Sequence, residues 1–168
     1  DTLIQTQLLA GLKTANPDGR IVVLGSVLAA EVLKHNPRIY HLEVSSLLPE
    51  RSPFEFLQYR KLCAALIRRF NIDTLICDPI NSTPVTALLL QMLSVKNKIF
   101  SASFRSPFYQ PLGIGLTQLV GGKEEPMSRH FLSLARSLGY GGTEILPTEI
   151  FPTQAEKKRA KEFIQSLT

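Results

Sequence analysis

Short, unbroken apolar runs alternate with helix-patterned stretches along most of this chain. Apolar runs of strand length occur at Ile21–Leu24 and Thr74–Cys77, and between Thr2 and Thr14 apolar positions recur every three or four residues. Unbroken apolar strands are typical of parallel sheets that are covered by helices on both faces. The pattern therefore predicts a doubly wound α/β fold.

The same reasoning predicts the remaining elements. We expect strands at Arg38–Val44 and Asn97–Phe104, and helices at Val27–His35, Phe54–Phe70, Pro84–Leu93, Glu125–Leu138 and Thr153–Leu167. The proline- and glycine-rich stretch Ser106–Gly122 predicts a long loop with room for a short hairpin, and Gly139–Pro152 has the composition of a domain linker.

The first predicted helix opens at the first residue of the sequence. A helix in this type of sheet normally connects two parallel strands, and only the second of them, Ile21–Leu24, is present. The strand that should feed the helix, and that would lie at the middle of the sheet, is either absent or precedes this sequence. We therefore expect a sheet without its innermost strand, whose unpaired edges promote association.

Length and charge set the outer limits of the interpretation. The chain has 168 residues, 44% of them hydrophobic, which is enough for one core with a terminal appendage. Its net charge of +5 and isoelectric point near 9.4 suit anionic partners such as phosphorylated sugars, lipid head groups or nucleic acid. A basic surface that only confers solubility explains the charge equally well.

The cysteines and the lengths of the apolar runs indicate the cellular compartment of the protein. Cys63 and Cys77 fall in a helix pattern and a strand pattern, which is more consistent with buried thiols in a reducing compartment than with a disulfide or a metal pair. No run approaches the ~18 apolar residues of a membrane span, and no signal-peptide pattern is visible. We expect a cytoplasmic protein.

Motifs for nucleotide triphosphates, dinucleotides, metal ions and serine hydrolases are absent from the sequence. His35, His41 and His130 are scattered, and a structural or solvent-facing role suits each of them. No metal site and no cofactor are therefore predicted. Aromatic residues do not interleave with basic ones, which argues against nucleic acid.

Candidate site residues follow from position, because ligands of open α/β sheets bind beyond the carboxyl ends of strands. These ends carry Asp1, Ser26, Asp78, Asn81, Ser82 and Arg105. Asp1 fits either a helix N-cap or a general base that takes a proton from an attacking hydroxyl, and the two roles are compatible. Asp78 fits a turn before Pro79 better than a carboxylate in the cleft.

Several stretches resemble one enzyme family. Asp1–Thr6 at the head of a helix, Ala15–Leu24, Leu33–Pro37 and Phe70–Asp78 look like the N-terminal half of the ADP-heptose:lipopolysaccharide heptosyltransferases, glycosyltransferase family 9. Arg129–Gly139 and Pro152–Leu167 agree with later segments in the same order. The resemblance implies a Rossmann-like, acceptor-binding half of a GT-B fold at 1–146, and at 147–168 a linker with the first helix of an absent donor-binding domain.

The resemblance also implies a reaction and its partners. Asp1 matches the family's catalytic base in an inverting, metal-independent transfer from a nucleotide-sugar, which the absent domain would hold. The acceptor would be a phosphorylated sugar or glycolipid, which gives a use to the basic groups Arg51, Arg60, Lys61 and Arg105. The apolar stretch Phe108–Leu116 would then contact the lipid or the inner membrane surface, or pack in the core.

A second hypothesis belongs to another class. The chain could be a non-catalytic α/β module that binds a protein partner or a phosphorylated ligand. The residues that flank this segment discriminate the two, because an apolar strand ending in glycine before Asp1 and a Rossmann-like run after Thr168 favour the transferase.

Overall fold

The computed structural model describes residues 2–77, 83–101, 118–120 and 126–166. Five strands and six helices are found within these ranges. The strands are β1 (Ile21–Gly25), β2 (Ile39–Val44), β3 (Thr74–Cys77), β4 (Asn97–Ser101) and β5 (Gln118–Val120). The helices are α1 (Thr2–Ala15), α2 (Val27–Leu33), α3 (Pro53–Phe70), α4 (Pro84–Met92), α5 (Met127–Ser137) and α6 (Gln154–Gln165).

The strands form two parallel sheets within the described residues. One sheet contains β1 and β2, with Val23 opposite Leu42, and the other has the order β3-β4-β5, with Ile76 opposite Ile99. Both sheets are parallel throughout, as the unbroken apolar runs predict. The fold-class prediction of an α/β protein with parallel strands is confirmed.

Helix α1 packs over both sheets. Leu9 lies in a core with α2 and the side chains of β1 and β2, whereas Leu8 lies in a core with Ile99 of β4 and the apolar face of α5. Thr6 to Gly11 are consequently all buried, while Leu3, on the predicted apolar stripe, is 40% exposed. The apolar spacing along α1 predicts one buried stripe, but α1 is buried on a wider face because it contacts elements on several sides.

The helix boundaries follow from local capping. Ser52, Thr83 and Thr153 each accept a hydrogen bond from the backbone N–H three residues on, at 3.1–3.2 Å. Glu156 completes a capping box at Thr153, with its Oε2 2.7 Å from the Thr153 nitrogen. Asn71 ends α3 in the left-handed region at a φ of 52°, which asparagine tolerates better than most residues.

The prediction of a long loop with room for a short hairpin over Ser106–Gly122 did not place a strand at Gln118–Val120, where β5 lies. β5 pairs with β4 in parallel. A three-residue strand is too short to show a period, and its pairing with β4 is a tertiary contact. The rest of the predicted loop lies outside the described residues.

The predicted linker contacts α1 and the turn before β2. The Glu149 nitrogen donates to Thr6 Oγ1 at 2.9 Å, and the Glu149 carboxylate pairs with Arg38 through both guanidinium nitrogens. Arg38 also lies 5.6 Å above the ring of Phe151. α6, which comes next, has no buried residue. None of the helices in the described ranges is long and apolar enough to cross a bilayer.

Candidate functional site

The loops that follow β1, β2 and β3 meet at one edge of the molecule. The Ser45 nitrogen, just after β2, donates to the Gly25 carbonyl at the end of β1 at 2.9 Å. Glu50, in the turn before α3, accepts a hydrogen bond from Thr83 Oγ1 at 2.8 Å, and Thr83 caps α4. This carboxyl edge, formed by 25–26, 45–51 and 83, is where an open α/β sheet binds its ligands.

Ser26 lies at the carboxyl edge, as predicted. It is exposed, and its Oγ accepts from the Ala29 nitrogen at 3.2 Å as the N-cap of α2. The hydroxyl hydrogen remains available for a ligand, because the cap uses only a lone pair. Gly25 precedes it, and a Cβ there would lie 3.2 Å from the Ala29 methyl group, so the close approach of β1 to α2 favours glycine.

Arg51 lies at the same edge, at the turn into α3. Its side chain is 73% exposed, with Nε 3.7 Å from a Glu55 oxygen. Glu55 also accepts from the Leu48 nitrogen at 2.9 Å, which ties the loop to the first turn of α3. An exposed ion pair of this kind is weak, so the guanidinium can exchange Glu55 for an anionic ligand.

Arg60 and Lys61 lie further along α3. They come seven and eight residues after Pro53, which places them ~10–12 Å along the axis from the start of the helix. Arg60 is half-buried and Lys61 is exposed. Arg51 precedes the first residue of α3, so Arg60 and Lys61 lie two helical turns further along than Arg51.

The other predicted site residues lie outside the described residues: Asp1, Asp78, Asn81, Ser82 and Arg105. The same applies to the apolar stretch Phe108–Leu116. Their assignment stays a prediction, although Asp1 directly precedes α1 and Asp78 directly follows β3.

A large cavity extends from the carboxyl edge between the two sheets. Its volume is about 960 Å³, and every residue of β1 and of β3 contributes to its wall. Cys63 of α3 lines it as well, and burial raises the pKa of that thiol to about 11. Cys63 and Cys77 are both half-buried and are not joined by a disulfide. We call this cavity the slot.

Two of the histidines lie in β2 and α5, and the described histidines form no metal site. His41 on β2 lies 3.1 Å from a Glu43 oxygen and stacks at 4.6 Å on Phe70, and His130 is buried in α5. No three His, Cys, Asp or Glu side chains within the described ranges are grouped so that they could hold a metal ion.

Sequence reasoning missed Glu50 and Glu55. Glu55 stands three residues after Ser52 and Pro53 begins the helix, which together form the usual signature of a capped helix start. That signature predicts a local role, and Glu55 binds the Leu48 nitrogen instead of the Ser52 nitrogen. The bond from Thr83 to Glu50 spans 33 residues and has no local signal.

Comparison with known proteins bears on the fold. No protein-family model matches the sequence, and no curated protein matches it significantly. The crystal structure of a family 9 glycosyl transferase from Veillonella parvula DSM 2008 matches with a TM-score of 0.72 at 17% identity, over 98% of this chain and 45% of its own. The structure of ADP-heptose LPS heptosyltransferase II from E. coli matches with a TM-score of 0.66 at 15% identity, over 96% of this chain and 46% of its own.

These matches agree with the predicted resemblance and, like it, run through nearly the whole chain. The chain spans less than half the length of each matched structure. At 15–17% identity the likeness concerns three-dimensional arrangement and not individual residues. The chain therefore has the α/β fold found over about half of a family 9 glycosyltransferase.

Proposed function

We propose that this chain is the acceptor-binding part of a glycosyltransferase that moves a sugar from a nucleotide-sugar to a phosphorylated glycolipid. The observation that carries the proposal is its structural match, over 96–98% of its length, to proteins named as a family 9 glycosyl transferase and an ADP-heptose LPS heptosyltransferase. A fold can serve several chemistries, so the residues at the carboxyl edge must supply the rest.

The carboxyl edge suits an amphiphilic anion. Arg51 offers an exposed guanidinium, which pairs with phosphate oxygens in a bidentate manner. Beside it, Leu48 and Phe54 are 55% and 68% exposed. A positive group next to exposed apolar side chains matches a ligand with a phosphorylated head and an acyl part. The same surface supports contact with the head groups of an inner membrane.

The proposed reaction begins at Asp1. Its carboxylate takes the proton from an acceptor hydroxyl, and the oxygen attacks the anomeric carbon of the donor sugar. The bond between that carbon and the nucleoside diphosphate breaks on the opposite face, so the configuration inverts. The proton stays on Asp1 until solvent removes it, and the diphosphate departs with the bonding electron pair. No metal ion takes part.

The donor site lies elsewhere in this proposal. The described part of the chain offers no glycine-rich phosphate loop, and each matched structure has more than half its length outside the match. We therefore assign the nucleotide-sugar to a second domain that faces the carboxyl edge, where a helix N-terminus and cationic side chains stabilise the departing diphosphate.

Replacing Asp1 tests the mechanism. In the full-length polypeptide, D1N should lower the rate of sugar transfer from ADP-heptose to a phosphorylated glycolipid about 10²–10⁴-fold, because a general base contributes that much. Asp18→Asn is the matched control, since Asp18 is an exposed aspartate in the turn beyond the other end of α1. Chelation by EDTA should leave both rates unchanged.

Two results would contradict the proposal. Full activity of the Asp1 variant removes Asp1 from the mechanism but leaves the transferase. A lack of transfer and of donor hydrolysis in the unsubstituted polypeptide, tested over a panel of nucleotide-sugars, removes the transferase itself and favours a non-catalytic module.

Replacing Arg51 tests the acceptor site. R51A should raise KM for the phosphorylated acceptor about tenfold and leave kcat unchanged, because the guanidinium binds the ground state and the transition state alike. Lys157→Ala is the control, since Lys157 is an exposed cation on α6. An equal rise in KM with R51A and with Lys157→Ala would assign the effect to overall charge. If R51A raised KM equally for a dephosphorylated acceptor, Arg51 would not be binding the phosphate.

A further inference from the structure

Helix α6 carries its side chains in solvent along its whole length. None of its residues from Gln154 to Gln165 is buried, and its two large apolar side chains, Phe163 and Ile164, are 64% and 62% exposed. A helix of about 12 residues is only marginally stable in water unless tertiary packing covers its apolar face. The apolar face of α6 therefore needs a partner surface.

The apolar face of α6 lies on the side of the helix that already meets α2. Phe163 follows Glu156 by seven residues, about two helical turns, so the two side chains lie one above the other. Ala160 and Ile164 lie beside the line that joins them. The Glu156 carboxylate is 3.8 Å from the Lys34 ammonium, at the end of α2. The contact with α2 can consequently be continued by apolar groups further along α6.

The outer face of α2 offers two exposed apolar side chains at a matching distance. Val27 and Leu28, in the first turn, are 58% and 81% exposed, and we call them the apolar pair. Val27 precedes Lys34 by seven residues, the same ~10.5 Å of helix that separates Phe163 from Glu156. Phe163 of an antiparallel α6 would reach the apolar pair while Glu156 stays beside Lys34.

The charges between these two contacts agree with the same alignment. Arg159 stands three residues after Glu156, and Glu31 stands three residues before Lys34, so Arg159 and Glu31 face each other when α6 lies antiparallel to α2. The Glu31 side chain is 67% exposed, and its present partner, Lys34 at 2.8 Å, belongs to the same helix. An exposed ion pair adds little stability, but opposite charges favour this register over others.

The linker ahead of α6 already follows this face of α2. A cavity of about 240 Å³ lies between the linker and the last turn of α2, and its wall includes Glu31, Val32 and His35 on one side and Phe151 on the other. Leu28 lies on the same side of α2, since it precedes Glu31 by three residues and Val32 by four. Packing of α6 on the apolar pair would extend the linker contact to the exposed first turn.

We propose that α6 is a lid that closes antiparallel onto α2 and packs Phe163 and Ile164 on the apolar pair. The pivot is the segment 151–153, because Glu149 just ahead of it is bonded to α1 and to the turn before β2. Ser26 caps α2 directly ahead of the apolar pair, so the closed lid borders the carboxyl edge and narrows the access of ligands to it. The proposal depends on α2 and α6 alone and is independent of the proposed function.

Disulfide trapping tests the closed position. In the full-length polypeptide, with its other cysteines replaced by serine, Leu28→Cys is combined with Phe163→Cys. The matched control combines Leu28→Cys with Lys161→Cys, because Lys161 is exposed near the same end of α6 but lies about 200° around the helix from Phe163. Disulfide formation in oxidised glutathione is followed by non-reducing electrophoresis and mass spectrometry.

The Phe163→Cys version should form the intramolecular disulfide at least about tenfold faster than the Lys161→Cys version, because the closed lid brings only the first pair of sulfurs within bonding distance. Adding Glu31→Arg to the Phe163→Cys version should slow the reaction about threefold, and adding Arg159→Glu as well should restore it. Equal rates in the two cysteine versions would overturn the closed position. An unchanged rate with Glu31→Arg would overturn the antiparallel register.

Two further results would show that another surface covers α6 and would also overturn the proposal. Disulfide-linked dimers in place of the intramolecular product would put a second copy of the chain against α6. A lack of disulfide in both cysteine versions would show that α6 is held away from α2.

Discussion

Helix α1 contacts α5 closely on one side and borders the slot on another. At the α5 contact, a Cβ on Gly11 would lie 2.7 Å from the Ala135 methyl group, and Phe131 and Leu134 are completely buried. Along the slot, the strands are half-buried at every position. The difference shows that α1 is closely packed against α5 and loosely packed along the slot.

The largest expected effect is at the α5 contact. Phe131→Ala should reduce the free energy of unfolding by about 3–5 kcal/mol, because it removes a fully buried ring and leaves a cavity. Phe163→Ala on α6 is the control, since Phe163 is 64% exposed and should change stability by less than about 0.5 kcal/mol. Urea denaturation of the chain measures both. Similar losses for the two variants would contradict the contrast between close packing and exposure.

The next effect concerns Cys63 at the slot. Its pKa of about 11 lies two units above the ordinary 9.0, so at pH 8 the reactive thiolate is about 100-fold scarcer than in an unperturbed thiol. Iodoacetamide should therefore modify Cys63 about 100-fold more slowly than a model thiol at pH 8. The rate should rise until the pH passes about 11.

Cys77→Ser isolates this thiol, and Cys63→Ser provides the blank. Because folding raises the pKa of Cys63, the folded state holds this proton more tightly than the unfolded chain. Stability should consequently fall more steeply between about pH 9 and about pH 11 in the Cys77→Ser chain than in the double serine variant. Fast alkylation at pH 8 would show that Cys63 is open to solvent.

A smaller effect is expected from Gly11. Gly11→Ala should destabilise the chain by about 1–2 kcal/mol, because the strain of placing a methyl group against Ala135 exceeds the gain in helix propensity. Gly141→Ala is the control, since a Cβ there would meet no atom within 4 Å. Combining Gly11→Ala with Ala135→Gly should restore part of the loss in a double-mutant cycle. Additive losses would show that the two positions are not in contact.

Much of the fold was predictable because its determinants are local. The strand Thr74–Cys77 is found at the predicted residues, and the capping box at Thr153 forms as expected. Apolar runs and caps act within a few residues, so a sequence reveals them. β5 was missed because its three residues carry no period and depend on β4. Ser26 lies at the end of β1 as predicted, while Glu50 was missed because its partner is 33 residues away.

The sequence by itself determined the order of the helices and of the strands β1 to β4, the apolar character of β1 and β3, and the cap that begins α6. The tertiary structure alone decided the close contact of α1 with α5, the bonds of Glu149 to Thr6 and Arg38, and the slot between β1 and β3. The physical reason is distance along the chain: periodicity and capping act between neighbours, whereas packing and strand pairing join residues whose separation no local pattern records.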